Sequence, residues 1–254
     1  MNRLPARTGL EWLKQGFGMF RAQPGILTML VFANFLFTVL VSNVPLLGMI
    51  LPLVFIPCFG IAVQQACHMI SEGQRVPPAV LLTGFRKDTI GPLCKMGLVY
   101  FGICMLLMVA VAPWINVEAM QASVKQMQAK NELALDPGTV FAVVTFCVLF
   151  NLTVLCLSFT PALTVWKRMP TFKAIFYSIV AVIGSIRPML VMLAYWLAIA
   201  WGVLLVVATL FGRSQFAVVI LMWLALISTL ILQCAIYAAY RQIIGMDEAS
   251  ATER

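Results

Sequence analysis

Six stretches of this chain are apolar from end to end, and no Asp, Glu, Lys or Arg falls in the middle of any of them. They cover about 25–43, 46–70, 93–115, 138–163, 189–211 and 215–239, each long enough to cross a hydrocarbon layer as a helix. Of 254 residues 62% are hydrophobic and only 10% charged, whereas a soluble domain has roughly a quarter of its residues charged. Such a chain cannot cover a globular surface with polar groups, so lipid is its solvent. Inside lipid, backbone N–H and C=O groups must be paired within a helix or around a closed barrel. The runs are continuous and not alternating ten-residue segments, which selects helices. The fold class predicted is therefore all-α: a polytopic membrane bundle of six helices arranged as three hairpins.

A recurring unit precedes the hairpins. LKQGFGMFRAQP at 13–24 returns 68 residues later as LLTGFRKDTIGP, both fitting L-x-x-G-F-x6-P. Leu13, Gly16, Phe17 and Pro24 are answered by Leu81, Gly84, Phe85 and Pro92. A third copy, FKAIFYSIVAVIGSIRP ending at Pro188, keeps the layout without the letters. Each copy reads as an amphipathic helix lying on the membrane before a span. In the first, Leu10, Leu13, Phe17 and Phe20 recur at helical spacing, and Trp12 suits the headgroup layer. The second helix begins at Pro77-Pro78. In the third, Phe172, Ile175, Phe176, Ile179 and Ile183 form the stripe. The units fall at about 8–75, 76–165 and 168–245 of one membrane domain, with 246–254 a flexible tail. The first apolar run lacks a small-x-small cleavage site before Pro45 and reads as a retained span.

The net charge of +8 raises the question of nucleic acid, but its placement answers otherwise. Fourteen of the seventeen Lys and Arg residues fall on alternate connections and the two termini. The bias marks topology, with both termini in the cytoplasm. Trp12, Lys14, Arg21, Arg86, Lys87, Lys167, Arg168 and Lys173 are then the candidate lipid-interface residues on the cytoplasmic leaflet. Anionic lipid attracts each basic group near that surface by about 1 kcal/mol. The polar connection 116–137 faces the other side, as a solvated helix or a contact surface.

Signs of catalysis are lacking. An ionisable group at mid-membrane costs at least about 2.5–3.5 kcal/mol on insertion scales and for that reason tends to be functional. None is present, and G-x-S-x-G, H-E-x-x-H and phosphate-cradling glycine loops are absent. His68 stands alone apart from Cys67 and Glu72, too few for a metal centre. The seven cysteines lie in or beside apolar runs without a CxxC and read as small packing residues. No cofactor is expected. Two features remain. Pro52 and Pro57, with Gly60, predict a break in the second span, either a transport device or a tolerated irregularity. Asn34, Gln64, Asn151 and Gln233, from four spans, hydrogen-bond neighbouring helices or line a small polar cavity.

The segments WLKQGFGMFRAQP, LPLVFIPCFGIAV and EGQRVPPAVLLTGFR resemble a family of six-span inner-membrane proteins of Gram-negative bacteria, chiefly betaproteobacteria. The likeness is clearest from about residue 8 to 100. It implies a bacterial inner-membrane location and the six-helix plan, and carries no catalytic residue with it.

The leading expectation is a non-enzymatic membrane protein that binds lipid, anionic lipid included, or another membrane protein. The alternative is a transporter or channel for a small uncharged or amphipathic solute using the second span. The charge bias makes a direct prediction. Reporter tags at Arg86 and at Gln126 should report opposite compartments, with Arg86 cytoplasmic; tags in one compartment would overturn the topology.

Overall fold

The computed structural model describes residues 4–45, 47–115, 137–212 and 214–245. The connection 116–136 and the tail 246–254, about which the sequence made predictions, lie outside them. Among the described residues the chain is helical without strands. Helix α1 is Thr8–Ala22, α2 Pro24–Ser42 and α3 Leu47–Ser71. A 3-10 helix, Pro78–Phe85, leads to α4, Lys87–Val111, which ends in a 3-10 turn, Ala112–Trp114. Then come α5 Pro137–Cys156, α6 Thr160–Val165, α7 Thr171–Gly184, α8 Ile186–Phe211 and α9 Gln215–Ile243. Six of these segments are long and apolar enough to span a bilayer: Pro24–Ser42, Ile50–Ser71, Lys87–Trp114, Pro137–Val165, Ile186–Phe211 and Phe216–Ile243.

Burial is concentrated at one end. It falls at the start of α2 (Leu27, Leu30), on α3 from Val54 to Cys67, and at the start of α4 (Leu93, Met96, Tyr100). It continues on Leu155–Thr164 of the fourth span, the start of α8 (Met189, Met192) and α9 from Leu230 to Tyr240. Because successive spans alternate in direction, all these stretches lie on the same side of the bundle, where α1, the 3-10 helix, α6 and α7 also sit. Toward the other side few residues are buried (Val111, Thr139, Ala142, Val207 and Ala217), and large apolar side chains there face outward.

Helix α3 is the hub. It packs against α2, α4, the 3-10 helix, α6, α9 and α1, and is the most enclosed of the spans. The predicted break at Pro52 and Pro57 does not occur, for α3 runs unbroken through both. Each proline still deprives a carbonyl one turn earlier of its donor. Neighbouring backbone covers the face next to them instead. A Cβ on Gly97 of α4 would stand 2.0 Å from the Val54 carbonyl oxygen, and one on Gly84 2.3 Å from that of Cys58. Phe85 completes this seam, its ring 5.6 Å from Phe55 and 5.5 Å from Phe59, with Phe37 of α2 closing the cluster.

The surface helices divide their faces between protein and surroundings. In α7 the buried face is Thr171, Ala174, Ser178, Ala181 and Val182, while Phe172, Phe176 and Ile183 are exposed. The bulky stripe is thus split: Ile175 and Ile179 pack against Met96, Tyr100 and Leu157, and the other three turn outward. Without a hydrophobic drive between helices in lipid, small residues that let backbones approach make the contact. The second surface helix is 3-10 and not α: it opens with Pro77-Pro78 and ends where Gly84 meets α3. Pro92 lies inside α4, whereas Pro24 starts α2, so the repeated sequence motif does not repeat its backbone.

The glycine seam is testable by pairing it with an open position. Gly97→Ala should lower thermal stability in detergent, by about 1–3 kcal/mol, as overpacking does. Gly60, where a Cβ meets nothing within 4 Å, should accept alanine with no loss.

Candidate functional site

Helix α1 is clamped across the start of α8 and the end of α9. A Cβ on Gly9 would fall 2.1 Å from the Pro188 carbonyl oxygen, and one on Gly16 2.7 Å from the Ala235 nitrogen. Between them Trp12 is fully buried, its Nε1 donating to Gln242 Oε1. The expectation of a lipid-facing Trp12 is therefore corrected: a side chain with an apolar body and one donor found a protein pocket with one acceptor.

Beneath this clamp α8 and α9 diverge, leaving an apolar crevice of about 790 Å³. Its roof is Leu10, Leu13, Lys14 and Phe17 of α1, and its walls run from Trp196 to Leu204 on α8 and from Leu221 to Ile231 on α9. Trp196 Nε1 donates to the Ser228 carbonyl (2.9 Å), tying the walls together. The hydroxyl of Thr229 turns back onto the Ala225 carbonyl. Lys14 is the one ionisable group in the lining.

On the other flank of α1 lies a smaller cleft of about 340 Å³ lined by Gln15, Met19, Ser71, Tyr237 and Arg241, among others. Here the ends of α3 and α9 are joined through polar groups. The Ser71 hydroxyl donates to the His68 carbonyl (2.7 Å), and with its proton so engaged it accepts from the Tyr237 hydroxyl at 3.1 Å. The Tyr237 oxygen in turn faces His68 Nδ1 at 3.0 Å, and His68 Nε2 faces Glu72 at 3.3 Å. Trp166 rests against His68, Tyr237 and Tyr240 and donates to Gln65 Oε1 (2.9 Å). One turn deeper the thiols of Cys67 and Cys234 touch at 3.1 Å. No group of three or more metal-ligating side chains occurs among the described residues.

A break does occur, but in the fourth span. Between α5 and α6 the chain turns at Leu157–Phe159, and residues from two other helices satisfy the freed backbone. Ser178 Oγ of α7 donates to the Cys156 carbonyl (2.7 Å) and accepts from the Phe159 amide (3.3 Å). Gln64 Nε2 of α3 donates to the Ser158 carbonyl (3.1 Å). Gln64 Oε1, Ser158 Oγ and Thr160 Oγ1 are buried and without a partner among the described residues. The sequence signal was Thr160-Pro161: a proline there withholds an amide from the preceding turn.

The four amides Asn34, Gln64, Asn151 and Gln233 do not converge. Only Gln64 is buried; Asn151 is exposed and bonds the Cys147 carbonyl of its own helix (2.8 Å). Asn34 and Gln233 are half-buried, and neither cavity is lined by any of the four. Of the basic residues, Lys14, Arg21, Arg86, Lys87, Arg168 and Lys173 are exposed. Lys167 is half-buried and reaches the Ile244 carbonyl at 3.5 Å, while Lys173 lies 5.9 Å from the Tyr177 ring centre. All stand on helices and turns at the well-packed end.

Along 97% of its length the chain is 30% identical to a probable inner membrane protein of Burkholderia thailandensis, 94% of which is covered. It belongs to that family of inner-membrane proteins. The family relation together with six apolar helices makes it a multi-pass protein of the inner membrane. No protein-family model matches the chain, and no solved structure does.

Ser178 offers a clean test of the broken span. Ser178→Ala removes no volume of consequence but strands two buried backbone groups, and each costs about 1–3 kcal/mol. Unfolding in detergent should show a loss of at least that size; an unchanged midpoint would mean that the break is not held by this hydroxyl.

Proposed function

We propose that this family member is a non-catalytic accessory or scaffold protein of the inner membrane that binds lipid at its flank, with both termini cytoplasmic. The observation that carries the reading is the chemistry of its larger described cavity: apolar, set between two spans, and bordered by exposed side chains such as Ile199, Trp201 and Val203. A carrier for polar solutes needs the reverse, a polar passage toward one face of the membrane. The amides that would line such a passage stand apart on their helices.

Basic residues at the well-packed end support the same reading. Six exposed Lys and Arg side chains there favour an anionic leaflet, each by about 1 kcal/mol near the surface. Helix α1 and helix α7 contribute to the interface through their outer faces, Lys14 and Arg21 on one, Phe172, Lys173 and Phe176 on the other. The paired motifs at Leu13–Pro24 and Leu81–Pro92 then serve as docking units, each delivering a glycine to a neighbouring backbone.

Extraction in mild detergent followed by lipid analysis tests the proposal: phospholipid should accompany the chain in stoichiometric amount through purification. Vesicle flux of an uncharged solute, lost in the Pro52→Ala, Pro57→Ala double variant, would instead favour the transporter.

A further inference from the structure

We propose that the crevice between α8 and α9 seats one acyl chain of an anionic phospholipid, with the headgroup phosphate held by Lys14. The inference rests on the lipid-binding reading above and names its ligand.

Depth is the first argument. The lining runs from Trp196 to Leu204 on α8 and from Leu221 to Ile231 on α9. At 1.5 Å per residue these are lengths of roughly 12 and 15 Å. Half of a hydrocarbon core of about 30 Å is roughly 15 Å. The crevice is therefore about as long as one leaflet is deep; it lies around the middle of both spans and is closed by α1 at the end nearer the basic side. An acyl chain matches it lengthwise.

Size admits a lipid chain: the crevice offers about 790 Å³ of apolar space, open along the flank between the two spans.

Charge selects the headgroup. Lys14 is exposed at the roof, and among the described residues no carboxylate lies within 4 Å of its amine. Toward the opposite end the walls carry no ionisable side chain: Ala200, Trp201, Val203 and Leu204 on α8 face Leu221, Leu224 and Ala225 on α9. Positive above and apolar below is the pattern of an anionic phospholipid.

The experiment is native mass spectrometry of the purified full chain titrated with phosphatidylglycerol and with phosphatidylethanolamine of identical acyl chains. The wild type should bind phosphatidylglycerol more tightly, by roughly fivefold for one near-surface charge. Lys14→Gln should abolish that preference while keeping both lipids bound. Ala225→Trp, which projects into the crevice, should weaken both. A wild type without preference, still losing both lipids in Ala225→Trp, would overturn the anionic assignment and leave lateral lipid binding intact. Binding unchanged by Ala225→Trp would overturn the crevice as the site. A wild type that binds neither lipid would sink this proposal and the broader reading together. Should Ala225→Trp fail to fold, phosphatidylglycerol brominated along its chains replaces it: tryptophan quenching should fall in Trp201→Phe, and equal quenching in wild type and variant would overturn the assignment.

Discussion

Close approach of one backbone to another is what holds this bundle together. Lipid tails are as apolar as leucine, so helices in a bilayer gain nothing from hiding apolar surface and associate through packing and hydrogen bonds. Here the packing is made where a neighbour lacks a side chain: Gly97 and Gly84 against α3, Gly9 against α8, Gly16 against α9. Indole donors add specificity to these contacts. Trp12, Trp166 and Trp196 each bond an oxygen on a different helix, and in hydrocarbon no water competes for those bonds. The seams lie at one end, and so the spans are pinned there and left free to part toward the other.

The crevice follows from that asymmetry. Where α1 crosses α8 and α9 it fixes their ends, and just beyond the crossing the Trp196–Ser228 bond joins them once more. Ala235, Ala238 and Ala239 are buried at the tight end of α9, whereas Phe216, Val218 and Trp223 of its other half are exposed. The polar links between α3 and α9, through His68, Ser71 and Tyr237, sit at the tight end, where the helices are near enough to be bridged.

Much of the architecture was legible in the sequence because hydropathy and length are direct signatures of a span. All six appear within a few residues of their expected bounds. What periodicity could not reveal was which face of a surface helix meets protein. An apolar stripe predicts burial in water, but in a membrane both lipid and protein accept apolar groups, and Phe172 and Phe176 went to the lipid side. Trp12 failed as an interface residue for the same reason. Proline was misleading in its place. Pro52 and Pro57 leave α3 continuous, with Gly84 and Gly97 packed against it nearby, while Pro161 accompanies a real interruption. No local pattern separates these cases; the difference lies in what other helices supply.

The crevice itself had no motif. It is assembled from the consecutive helices α8 and α9 and from α1, roughly 180 residues earlier in the chain (Phe17 to Trp196), and its only charged member, Lys14, looks in sequence like any other interfacial lysine. What distinguishes it is position: one turn from Leu10 and beside Leu13 and Phe17, it stands where the α1 roof meets the gap. The seven other interface candidates lack such a neighbour. A basic girdle alone would draw a protein to an anionic surface without choosing among lipids. A single lysine at the end of an apolar slot would couple headgroup and chain in the same site, and that coupling is what the proposed recognition of one lipid requires.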